Sequence, residues 1–81
     1  MSNETMTIII NGRQRYWNQS VHSKMTYSYL IKLAGYSPGT IVSVSWSHRD
    51  GSVTQGGVLS PGYSVTVKDG MIFYAHVTGN A

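Results

Sequence analysis

The chain has 81 residues, enough for one small domain with a modest core and too few for an elaborate internal active site. It contains no cysteine, which excludes disulfides, thiolate metal sites and thiol nucleophiles together and favours a reducing, cytoplasmic location. Charged residues make up 11% of the chain and the net charge is +3, with no basic run beyond Arg13-Gln14-Arg15, so the field is mild and scattered.

Low charge does not mean disorder here. Val, Thr, Ile, Tyr, Trp and Phe together account for 30 of the 81 residues, and these side chains suit a pleated, half-buried surface. The opening MSNETMTIII carries an acid and no cation before its isoleucines, unlike a secretory signal. No apolar run approaches the about 18 residues of a membrane span, so a soluble protein is expected.

In chain order, Thr5 to Ile10 is β-branched apart from Met6 and stops at Asn11-Gly12, a dipeptide suited to the positive φ angles of a tight hairpin turn. Arg15 to Asn18 supplies a short aromatic return strand, and Gln19 to Ser23 is a polar connection. Thr26 can cap a helix over about residues 26–35. Tyr27, Leu30, Ile31 and Ala34 form its apolar stripe, widened by Leu33, and Gly35 with Pro38-Gly39 ends it. Thr40 to His48 alternates strictly, with Val42, Val44, Trp46 and His48 on one face and serines on the other. Asp50-Gly51 turns the chain into a strand from Val53 to Leu59, weakened by Gly56-Gly57. After the Ser60-Pro61-Gly62 turn, Val65 and Val67 lead to Asp69-Gly70. Met71 to Thr78 is the last strand, with Phe73, Ala75 and Val77 on one side.

A hairpin, one amphipathic helix and further strands predict an α+β domain in which a mixed sheet of four to five strands is covered by one helix, a β-grasp. A small barrel of the SH3 or OB type is the rival, with the helix as an ornament on a connection. The domain is expected over residues 1–78, with 79–81 as a short, flexible C-terminal tail.

No catalytic constellation is visible. Glu4, Asp50 and Asp69 lie far apart, and the last two belong to Asp-Gly turns. His22, His48 and His76 lack metal-ligand spacing, and no Gly-x-Ser-x-Gly or phosphate-binding glycine loop occurs. The expected chain is therefore not an enzyme and holds no metal. Trp46 is read as a core residue. Arg15, Tyr16 and Trp17 form a possible docking surface, because an exposed aromatic beside a guanidinium suits stacking or protein contact. Tyr27, Tyr29, Tyr36, Tyr63 and Tyr74 exceed what so small a core needs, so some should be exposed. Lys24, Lys32 and Lys68 are read chiefly as solvated surface groups.

The segments Thr26-Tyr27…Leu33-Ala34-Gly35, Leu59-Ser60-Pro61-Gly62 and Val65-Thr66-Val67-Lys68-Asp69-Gly70-Met71-Ile72-Phe73 resemble those of the bacterial multiubiquitin and related ubiquitin-like domains. The resemblance spans about residues 7–78. It implies a ubiquitin-like β-grasp and a protein modifier of a bacterial conjugation pathway. A processing peptidase would trim the C-terminus, a ubiquitin-activating-like enzyme would adenylate the new carboxylate with ATP, and a carrier-like enzyme would pass it to target proteins. The modifier would need no cofactor of its own. The residues implied in processing and conjugation are Gly79, Asn80 and Ala81, with a single glycine where the eukaryotic pattern has a pair. Cleavage of the Asn80–Ala81 bond, which leaves Asn80 as the reactive carboxylate, is preferred over cleavage after Gly79. A nucleic-acid-binding module using Arg13, Arg15 and Arg49, or a fixed scaffold, is the alternative; the small net charge weighs against nucleic acid.

Overall fold

A computed structural model describes residues 5–18 and 23–77. The first hairpin pairs β1 (Thr5–Ile10) antiparallel with β2 (Arg13–Asn18) through the two-residue Asn11-Gly12 turn, both of whose residues take positive φ. The return strand begins at Arg13, two residues earlier than the aromatic cluster suggests, because a two-residue turn places Arg13 directly opposite Ile10. A short strand β3 (Lys24–Thr26) leads into helix α1 (Tyr27–Leu33). The Thr26 hydroxyl accepts from the Tyr29 backbone N–H at 3.2 Å, as its capping role requires. The helix is two turns long, with Ala34 at its C-terminal cap and Gly35 at φ 93°, so it ends short of the span expected from the stripe.

The remaining strands are β4 (Val42–Asp50), β5 (Val53–Leu59), β6 (Ser64–Thr66) and β7 (Ile72–Val77). Five of them form one mixed sheet in the order β2-β1-β7-β4-β5, and β3 and β6 form a separate two-stranded ribbon. The first and last strands of the chain run parallel at the centre of the sheet, where Ile9 faces Ile72 and Ile10 faces Phe73. All other pairs are antiparallel.

One face of the sheet carries the core. Ile8 and Ile10 from β1, Trp17 from β2, Phe73 and Ala75 from β7, Val42 and Val44 from β4 and Leu59 from β5 meet Tyr27, Leu30 and Ile31 of α1, with Met25, Val67 and Met71 closing the margin. Leu33, Ala34 and Trp46 are half-buried against this cluster, in line with the expected stripe and with the core role expected of Trp46. Among the described residues no element covers the opposite face, and polar and apolar side chains alternate there.

The Tyr27 hydroxyl pins the helix to the sheet: it donates to the Val42 carbonyl at 2.8 Å and accepts from the Val42 N–H at 3.2 Å. Replacing Tyr27 with Phe leaves both backbone groups of a buried residue without that partner, and is expected to cost about 1–2 kcal/mol in urea unfolding. A loss below about 0.5 kcal/mol would mean that water takes over both bonds. No helix among the described residues is long and apolar enough to cross a membrane.

Candidate functional site

Two regions carry the functional expectations: the end of the last strand and the β2 edge. Strand β7 is a central strand, held on one side by β1 and on the other by β4. Its fixation continues beyond the two residues paired with β1. Asn11, at φ 52°, turns its side-chain amide onto Ala75, where Nδ2 donates to the Ala75 carbonyl at 2.9 Å and Oδ1 accepts from the Ala75 N–H at 2.8 Å. The amide thus imitates a strand residue and extends the β1–β7 ladder past the turn. The Tyr36 hydroxyl donates to the same carbonyl at 3.3 Å. Val77 ends the strand opposite Val42, the first residue of β4. The chain is therefore anchored two residues before the strand's last residue. Gly79, Asn80 and Ala81 lie outside the described residues.

Beside this strand end is a groove of about 510 Å³ between α1 and the loop before β4, lined by Tyr27, Ile31, Tyr36, Pro38, Ile41 and Pro61 among others. Its walls are mainly apolar, and Ile41, next to the Val42–Val77 pair, is exposed. The uncovered sheet face is the second apolar surface. Register places Tyr16, Ile72, Tyr74 and Val58 on it, among Ser43, Ser45 and Ser47. Tyr16 is 75% exposed, Val58 72% and Tyr74 64%.

The proposed docking trio is split by strand alternation. Tyr16 is exposed on the uncovered face, and Arg15 is exposed on the helix side, opposite Ile8. Trp17 is not a surface residue: it is 4% exposed, packed in the core with its ring centroid 5.7 Å from that of Tyr29. The reason is positional. Trp17 faces Met6 at the end of the hairpin where the helix begins, and there the indole fills space that α1 and β1 leave open. The arginines of the nucleic-acid alternative do not converge either. Arg13 and Arg15 share the helix side of β2, whereas alternation along β4 puts Arg49 on the uncovered face, where its Nε donates to the Gly51 carbonyl.

The remaining polar candidates hold the fold. The Asp69 carboxylate accepts from the Thr7 N–H at 2.8 Å, tying the Asp-Gly turn to β1, and the His48 Nε2 contacts the Asp69 carbonyl at 3.2 Å. Among the described residues, no three His, Asp or Glu side chains are grouped to hold a metal ion. Lys24, Lys32 and Lys68 are exposed, as are Tyr29, Tyr63 and Tyr74, while Tyr27 is buried and Tyr36 is half-buried. The bridging role of Asn11 and the apolar groove escaped the sequence: Asn-Gly signals the turn, but nothing local tells which strand its amide will meet.

No family model, curated protein or solved structure matches the chain.

Proposed function

We propose that this chain is a ubiquitin-like modifier built on a β-grasp, acting in the cytoplasm of a bacterium and carried by its C-terminal carboxylate. A β-grasp pairs the first and last strands in parallel at the centre of a mixed sheet, flanks them with antiparallel partners and lays a helix across one face. The single observation that supports this reading is the order β2-β1-β7-β4-β5, with β7 locked by its neighbours and by Asn11. A modifier needs this mechanical arrangement: a rigid body that delivers the residues after its last strand to an enzyme from a fixed point. The body itself supplies no chemistry. Adenylation by a ubiquitin-activating-like enzyme consumes ATP and links the trimmed carboxylate to AMP with release of pyrophosphate; a nucleophile of the carrier-like enzyme then takes the acyl group as the acyl–phosphate bond breaks and AMP leaves, and a nucleophile of the target protein displaces the carrier.

Processing is assigned to the Asn80–Ala81 bond, which would leave Asn80 as the reacting carboxylate. ATP–pyrophosphate exchange by the cognate activating enzyme tests this with three chains, ending at Ala81, Asn80 and Gly79. The chain ending at Asn80 is expected to support exchange, with the other two at background. Exchange only with the Gly79 form would move the site by one residue. Exchange with none would remove the modifier reading.

A further inference from the structure

We propose that the free edge of β2 takes up an extended acidic segment of a partner protein as an added antiparallel strand, with carboxylates at alternate positions facing Arg13 and Arg15. This goes beyond the fate of the C-terminus and does not depend on it.

The edge is preformed. Among the described residues strand β2 is the outermost strand on its side of the sheet, and its register is fixed by the two-residue turn and by the buried Trp17 near its far end. In a hairpin closed by two residues the pair next to the turn is hydrogen-bonded, and bonded pairs then alternate with non-bonded ones. Arg13, Arg15 and Trp17 are thus the residues that bond to β1, across from Ile10, Ile8 and Met6. The N–H and C=O groups of Gln14 and Tyr16 point the other way, off the edge of the sheet, where an incoming strand can pair with them.

The side chains select the occupant. Arg13 and Arg15, two residues apart, project on the same side of the strand, and both are exposed. Between them and the end of α1 is a depression of about 300 Å³, floored by Ile10, Leu33, Ala34 and Gly35. The acids among the described residues are Asp50 and Asp69: the former closes the turn between β4 and β5, and the latter is engaged by the Thr7 N–H. Neither answers the two guanidiniums. An added strand places its alternate side chains directly opposite Arg13 and Arg15, and opposite charges facing each other across a strand pair are stabilising.

Other occupants fit less well. Two copies joined through this edge would set arginine against arginine, and like charges in that position repel. The opposite edge, β5, is VTQGGVL and offers the arginines no carboxylate. Single-stranded nucleic acid calls for stacking aromatics beside the cations, yet Tyr16 lies on the other face of the strand.

The test is an NMR titration of the full chain with an extended peptide bearing glutamate at alternate positions and threonine or valine between. The same peptide with glutamine in place of glutamate and an oligothymidylate serve as competitors for the assignment. The glutamate peptide is expected to shift the amides of residues 13–16 and to slow hydrogen exchange at Gln14 and Tyr16. Its affinity should fall with salt, and by about tenfold in the Arg13→Gln, Arg15→Gln double variant, the size expected for two exposed ion pairs. An unchanged melting temperature would establish that this variant is folded. Equal binding of the glutamine peptide, unprotected Gln14 and Tyr16 amides, or shifts mapping elsewhere would overturn the proposal. Preference for the oligothymidylate would replace it with nucleic-acid binding. No binding by either peptide would leave the arginines as guards that keep the edge from pairing.

Discussion

Replacing Phe73 with Ala is expected to lower stability by about 3–5 kcal/mol, the range for truncating a fully buried aromatic ring. Phe73 is 0% exposed and sits at the crossing point of the sheet, opposite Ile10 of β1 on one side and Trp46 of β4 on the other. Its carbonyl accepts from the Asn11 N–H at 3.0 Å, so the residue joins the parallel β1–β7 pair to the first turn. The hole left by the ring would be bordered by strands hydrogen-bonded on both sides, which cannot slide together to fill it. Small domains have stabilities of about 5–10 kcal/mol, so the variant should be near its unfolding transition at room temperature. Urea unfolding followed by Trp fluorescence measures the change. A loss below about 1.5 kcal/mol would mean that the central strands are not packed around Phe73.

The second large effect concerns Asn11. Replacing it with Ala removes both amide bonds to Ala75, a buried strand residue, leaving its N–H without that partner and its C=O with only the 3.3 Å bond from the Tyr36 hydroxyl, for an expected loss of about 2–3 kcal/mol. Part of that loss comes from the backbone, because Ala at φ 52° sits in the left-handed region at a cost of about 1 kcal/mol. Asn11→Gly separates the contributions. It relieves the φ cost but restores neither bond, so it should remain less stable than the native chain while exceeding the Ala variant. Hydrogen exchange adds a local readout: the Ala75 amide should lose protection in both variants. A Gly variant as stable as the native chain, with Ala75 still protected, would show that the amide bridge contributes nothing.

The order of elements was legible because each carries a local signal. Asn11-Gly12 marks a two-residue turn, the spacing of Tyr27, Leu30 and Ile31 marks a helix face, and the alternation from Val42 marks a strand buried on one side. Asp50-Gly51 signals the second hairpin one residue early, since Asp50 still pairs with Val53 and the two-residue loop is Gly51-Ser52. The helix is shorter than its apolar stripe because the stripe continues through Ala34 while Gly35 already turns left-handed. Strand β3 was hidden: Lys24-Met25-Thr26 is too short for a periodic signal and exists by pairing with β6, about forty residues on.

The candidate site was legible only in part. Arg15-Tyr16-Trp17 reads as one exposed cluster, but alternation along β2 sends Tyr16 to the face opposite Arg15, and burial against α1 takes Trp17 out of solvent. Sequence neighbours within a strand are spatial opposites, so a contiguous motif there never makes a contiguous surface. The Arg13–Arg15 pair became visible as a unit once β2 was placed at the edge of the sheet. The meeting of Asn11 with Ala75 is likewise a tertiary event, 64 residues apart in the chain.

The modifier reading is tested most directly by intact-mass spectrometry of the chain incubated with ATP and its cognate peptidase, activating and carrier enzymes. Loss of one alanine residue, followed by a covalent adduct of the trimmed chain through Asn80 to a carrier or target, is the predicted result. An unchanged mass with no adduct, under conditions where the enzymes are shown to be active, would contradict it.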